Sequence, residues 1–187
     1  MIGKSIFLAL AGWPLLVSAS PGPVIVNYSF VEQVKCDLVK GSAVRLQGGQ
    51  YVSAHHVTAN TGCKVRGQPI TVTSFDAALD FSTFTIERAP KRGAKVNCGG
   101  IMPGEWIFSI GYAGGLPVQR MVTVHHQGFK AHNGMAIMHG QETILPGMSG
   151  GIGMNQAGEV VAVNNMYNPM LRLSLLRELK DTALCRR

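Results

Sequence analysis

From residue 24 to residue 166 the chain repeats one pattern: short apolar runs, each broken by glycine or by a polar turn. The runs are "VIVNYSFV", "AVRLQ", "QYVSA", "PITVTSF", "DFSTFTI", "EWIFSIGY", "RMVTVHHQGF", "MAIMHG" and "EVVAVNN". Several alternate with period two, as in "FSTFTI" and "VTVHH". That alternation puts every second side chain on one face, as a half-buried strand requires. Roughly ten to twelve such segments with little helix between them predict an all-β protein of barrels or a sandwich. The stretch "ERAPKRGAKVNCGGIMPG" is basic and rich in proline and glycine, so it marks the internal boundary. It divides the chain into β units over about 24–90 and 101–168, joined by a linker over 91–100.

Both ends depart from this pattern. After "NPM", the segment "LRLSLLRELKDTAL" spaces Leu171, Leu175, Leu176 and Leu179 as one face of a helix, with Arg172, Glu178 and Lys180 elsewhere. An amphipathic α-helix over 170–184 is predicted, packing its leucines on the body of the protein. At the other end Lys4 precedes the apolar "IFLALAGWPLLV", and "VSA" ends at Ala19. Positive start, apolar stretch and small-residue cut site predict a secretory signal over 1–19, cleaved after Ala19. The stretch is short for a bilayer span and contains Pro14, and no later segment is long and apolar enough, so stable membrane insertion is not expected. The expected product is secreted or periplasmic. "NYS" at Asn27 would accept a glycan only in a eukaryotic host.

Composition agrees with a turn-rich β protein. Among 187 residues there are 23 glycines, and only 14% of residues are charged. The formal charge is +7, concentrated in "RAPKRGAK" and in the tail with Arg172, Arg177, Lys180, Arg186 and Arg187. No aromatic residues are interleaved with these cations as a single-strand platform needs, so no nucleic-acid partner is expected. Cys36, Cys63, Cys98 and Cys185 form no CxxC pair. In an exported chain an even count predicts two disulfides. Of the three pairings, Cys36–Cys63 and Cys98–Cys185 is favoured: the first brackets the His55 region and the second ties the C-terminal segment to mid-chain.

The candidate chemistry centres on "LPGMSGGIGM", where Ser149 sits in a glycine turn between apolar segments. A serine hydroxyl is almost unreactive unless a base takes its proton and a third group orients that base. Six histidines and four aspartates make the candidates countable. His55 and His56 end the "QYVSAHH" strand, and only Asp76 and Asp80 lie between them and Ser149. Asp80 directly opens an alternating strand whose Phe81 and Phe84 can fix it, whereas Asp76 falls in a turn. Gly147 can adopt a conformation closed to other residues, and its N–H with that of Ser149 forms an oxyanion-hole pair. The chain order His, Asp, Ser is that of chymotrypsin, not of subtilisin or the α/β-hydrolases. The adjacent pairs His55–His56 and His125–His126 point to opposite faces on a strand and so do not suit one metal ion.

"QYVSAHHV", "DAALDFSTFTI" and "LPGMSGGIGMNQAGEVVAVNN" resemble the three motif blocks of trypsin-like (chymotrypsin-fold) serine peptidases, over about residues 30 to 170. The last block, and "MPGEWIFSIGYAGG", are most similar to the high-temperature-requirement branch and to compact bacterial or viral relatives. The resemblance implies two six-stranded antiparallel β-barrels and hydrolysis of polypeptides with no cofactor or metal. By position it implies His55 as general base, Asp80 as its orienting partner, Ser149 as nucleophile, and Gly147 and Ser149 as the oxyanion hole. His56 takes the base's role if the first motif is shifted by one. The pocket for the residue before the cut would be lined by Thr143, Asn164, Asn165 and Met166; none is acidic, which predicts a small or medium apolar preference. Met148 stands where trypsins keep an aspartate, and no I-V-G-G start is present, so activation by an N-terminal salt bridge is not expected. No PDZ-like module is read after the peptidase region. The rival reading is a catalytically inactive binding protein of the same fold. Nothing in the sequence fixes the oligomeric state.

Overall fold

The computed structural model describes residues 28–140, 142–168 and 170–186, so the expected signal over 1–19 and Asn27 lie outside the described residues. Strands dominate, in two antiparallel sheets. The first comprises β1 (Val31–Lys35), β2 (Lys40–Arg45), β3 (Tyr51–Ser53), β4 (Lys64–Val65), β5 (Gln68–Pro69), β6 (Thr71–Asp76) and β7 (Phe81–Thr85). A one-turn helix α1 (His55–Thr58) follows β3. The second comprises β8 (Trp106–Gly111), β9 (Arg120–Lys130), β10 (Ala136–His139), β11 (Ile152–Met154), β12 (Val160–Asn168) and β13 (Leu173–Glu178).

The second sheet closes as a six-stranded barrel in the order β10-β13-β12-β11-β8-β9, as expected. The first has seven strands in the order β5-β4-β1-β2-β3-β7-β6 and stays open, a curled half-barrel rather than a closed six-stranded one. Its ends explain this: β4 and β5 are two residues long, and all six residues of β6 are exposed. The linker passes between the two units by single bridges, Leu46 with Ala94 and then Val96 with Val160.

Burial alternates along β9 and β10, whereas β2, β7 and β8 are buried at consecutive positions, on both faces. One cluster fills the first sheet, including Val34, Tyr51, Val65 and Phe84, with Tyr51 and Phe84 stacked at 5.1 Å between ring centroids. A second fills the closed barrel around Ile107, Val124, Met138 and Leu176. A third joins the two units, setting Val44, Leu46 and Phe81 of one against Phe108, Ile152 and Val163 of the other. Burial of this extent is the main favourable term in folding. The disulfides are Cys36–Cys63 and Cys98–Cys185, the pairing favoured from the sequence.

The predicted C-terminal helix over 170–184 is corrected by the structure. Leu173–Glu178 is strand β13, paired with both β10 and β12, and only Leu179–Asp181 makes a 3-10 turn. The leucines carry two periods at once, and the barrel decides between them. As a strand the segment buries Ser174, Leu176 and Glu178 and closes the sheet; as a helix it would leave the edges of β10 and β12 unpaired.

Candidate active site

The site lies in a cleft of about 640 Å³ where the two units meet, bordered by His56, Asp80, Gly147, Ser149 and Asn165. Asp80 arrives through a tight turn. The Asp76 carboxylate accepts the Leu79 N–H at 2.9 Å, Asp80 N donates to Ala77 O, and Asp80 itself takes φ of +51°. Aspartate tolerates that left-handed conformation better than most residues. From the second unit, the buried Arg177 donates to Leu79 O at 2.7 Å and to Asn133 O at 2.9 Å, clamping this turn to the barrel. Asp76 therefore builds the turn, and Asp80 is presented to the cleft.

The structure pairs Asp80 with His56 and not with His55. Oδ2 lies 2.7 Å from His56 Nδ1, and Oδ1 accepts the His56 backbone N–H at 2.8 Å. His55 turns away to stack on Phe75, with ring centroids 4.8 Å apart, and does not border the cleft. The cause is α1: successive residues on a helix diverge by about 100°, so only one of two neighbouring histidines can face the carboxylate. Predicting a plain strand end at "AHH" hid this, and the one-residue shift allowed from the motif is the register observed.

Asn165 completes the grip. Its Nδ2 donates to the Asp80 carboxylate at 2.7 Å and to the Asp80 carbonyl at 2.9 Å, while its own carbonyl accepts the Ser149 hydroxyl at 2.9 Å. Burial of the Asp80 carboxyl opposes ionisation, but the hydrogen bonds from the His56 ring and backbone, the His56 charge and the Asn165 amide outweigh it, bringing its pKa from 3.8 to about 2. A depressed carboxylate stabilises the fold fully above its unfolded value and loses that contribution as pH falls through about 2. Urea titrations between pH 5 and pH 2 should show wild type losing about 2 kcal/mol more than Asp80→Asn.

The Ser149 turn is fixed from both sides. Ser42 N donates to Ser149 O at 2.8 Å from the first sheet, and Gly150 N donates to Asn164 O at 2.7 Å in the second. Ser42 was not singled out from the sequence, yet its hydroxyl donates to Gly147 O and accepts the Tyr112 N–H, both at 2.8 Å. Gly147 has φ of +87°, and the Gly147 and Ser149 amides, both bordering the cleft, have no acceptor among the described residues. Gly150 leaves no room for a side chain: at φ of +81° an added Cβ would sit 2.1 Å from both Ser42 O and Ser53 Oγ. Gly150→Ala is expected to cost about 3 kcal/mol or more by chemical denaturation, with both strain and overlap to relieve.

Of the expected pocket residues, Asn165 and Met166 border the cleft. Asn164 does not. It is fully buried, accepting from Ser109 Oγ and donating to Ile110 O, because β12 sends neighbouring side chains to opposite faces. Thr143 is half-buried outside the cleft, whose apolar wall is formed by Met135, Pro146, Met166 and Tyr167. Met148 is fully buried, its sulfur facing the Leu145 N–H at 3.4 Å. No group of three or more metal-ligating side chains occurs among the described residues.

This architecture is the chymotrypsin fold. No protein-family model matches the chain, and no curated protein matches it in sequence. Solved structures do match in fold. The chain is similar to the Rv3671c protease from M. tuberculosis in its active form, with a TM-score of 0.71 and 16% identity over 96% of this chain and 92% of that one. It is similar to the HtrA-type protease AlgW with tripeptide, at 0.68 and 18% identity, covering 81% of this chain and 56% of that one. The serine endoprotease from Yersinia pestis gives 0.65 and 16% identity, with 80% and 58% covered.

Proposed function

We infer that the chain is a serine endopeptidase working through Ser149, His56 and Asp80. The observation that carries this reading is the double grip of Asp80 on His56 beside Ser149 in one cleft. A proton on Nδ1 facing the carboxylate leaves Nε2 as the acceptor, the tautomer a general base needs. Ser149 Oγ attacks the peptide carbonyl as His56 Nε2 takes its proton. The developing oxyanion is stabilised by the Gly147 and Ser149 N–H groups, and His56 returns the proton to the leaving amine. Water, deprotonated by His56, then releases the acyl group and restores the hydroxyl. Every step uses side chains and backbone alone, with no metal or cofactor called on.

Ser149 Oγ rests on Asn165 O and makes no hydrogen bond to His56 in this structure, so attack requires rotation about its Cα–Cβ bond. Catalytic hydrogen bonds are often unformed before substrate arrives. The same observation favours the rival reading, an inactive binding protein of this fold, and one experiment separates them. A peptide library incubated with the protein should be cut by wild type and spared by Ser149→Ala; equal cutting by both removes the peptidase reading. The apolar wall supports preference for a small or medium apolar residue before the cut. The two disulfides support export to an oxidising compartment. No helix among the described residues is long and apolar enough to cross a membrane.

A further inference from the structure

Ser149 sits between two strands with different characters. On one side its hydroxyl meets Asn165 on β12, where Met166 and Tyr167 continue the apolar wall. On the other its carbonyl accepts the Ser42 N–H of β2, and the cleft there ends at Val39 and Lys40. With the acyl half of a substrate along β12, the leaving half passes over Lys40.

Lys40 begins a row of like charges. It is directly opposite Lys35 on β1, and Lys35 is directly opposite Lys64 on β4. Residues in such register share a face, with Cβ atoms about 5 Å apart. All three lysines are exposed, and none has an ion pair or side-chain hydrogen bond among the described residues. Neighbouring carboxylates are occupied elsewhere. Asp37 in the β1–β2 turn accepts from Thr61 Oγ1 at 2.9 Å, and the nearly buried Glu32 is held by Arg45 and Arg66 at 3.4 and 3.8 Å. Beyond Lys40, Lys35 and Lys64 border a second groove of about 360 Å³ with Gln33, Arg66, Tyr112 and the paired Glu32. Like charges placed directly opposite destabilise a sheet, so this row is a cost to the fold that an anionic occupant offsets.

We propose that Lys40, Lys35 and Lys64 form a subsite for acidic side chains on the leaving-group side of the polypeptide substrate, so that the enzyme cuts before an acidic stretch. The proposal rests on the peptidase reading for the direction of the chain. Two strand spacings span about 10 Å, which is about three residues of extended peptide, placing the acidic positions about two to four residues after the cut.

The test uses two quenched fluorescent peptides with one acyl half, carrying Gly-Glu-Glu-Glu or Gly-Gln-Gln-Gln after the cut. At about twofold per exposed ion pair, the acidic peptide should have about tenfold higher kcat/KM, expressed in KM and shrinking as salt is raised. In the K35Q/K40Q/K64Q triple variant the ratio should fall to about one, with Tm unchanged or raised because repulsion is removed. Equal rates for the two peptides, or a preference that survives in the triple variant, would overturn the subsite while leaving the peptidase reading intact. Anisotropy of the labelled acidic substrate, both halves included, covers the case in which nothing is cut. On Ser149→Ala the uncut acidic substrate should compete with that label about tenfold better than the uncut glutamine substrate, in a salt-sensitive way that the triple substitution abolishes; equal competition by the two substrates overturns the subsite.

Discussion

His56→Ala will reduce kcat for peptide hydrolysis by about a million-fold, while His55→Ala will leave kcat/KM within about threefold of wild type. The contrast is sharp because the two residues are neighbours of the same type and differ only in direction. His56 bonds Asp80 through both ring and backbone, whereas His55 stacks on Phe75. Losing the base leaves Ser149 with no acceptor for its proton, and the remaining rate comes from the oxyanion donors and binding. Losing His55 removes a stacking contact, with a stability cost of about 1 kcal/mol. Steady-state kinetics on one peptide, with thermal unfolding of each variant as a control, measures both effects. A large loss in His55→Ala with near-normal His56→Ala would reverse the assignment.

The second large effect is expected at Asp80. Asp80→Asn should lower kcat by about ten-thousand-fold, the loss that a wrong imidazole tautomer produces in a Ser-His-Asp triad. The amide oxygen that this substitution introduces can still accept the His56 backbone N–H, but the new NH2 group then faces Nδ1. That nitrogen becomes an acceptor, the proton moves to Nε2, and the base is lost. The same NH2 also confronts the Asn165 amide, which in the native protein donates to Asp80 Oδ2 at 2.7 Å. The split between kcat and KM is diagnostic: the loss belongs in kcat, since Asp80 is spent on His56 and Asn165 rather than on substrate. A loss confined to KM would contradict the role given to Asp80.

The strands were readable where an alternating or continuous apolar run was bounded by turns, as in "VTVHH" for β9 and "EVVAVNN" for β12. Asp80 was distinguishable from Asp76 because it opens a strand, and the structure uses Asp76 to cap the turn that presents it. Three features were not readable, each because tertiary contacts decide between local alternatives. "LRLSLLRE" fits both helical and strand spacing, and the open edges of β10 and β12 select the strand. His55 and His56 are told apart only by the single helical turn after β3. Asn164 and Asn165 are the same residue type, but strand parity buries one side chain against Ile110 O and Met148 O and sends the other to Asp80. Ser42 had no motif to mark it, since its importance comes from contact with a turn more than a hundred residues away.

Covalent labelling by a fluorophosphonate, read by peptide mass spectrometry, tests the central claim most directly. The reagent needs an activated serine but no knowledge of the natural substrate. The account predicts one adduct per chain, on Ser149, formed at near-normal rate in His55→Ala and at least about a thousandfold more slowly in His56→Ala. No adduct at Ser149, or an adduct whose rate is indifferent to His56, would contradict it.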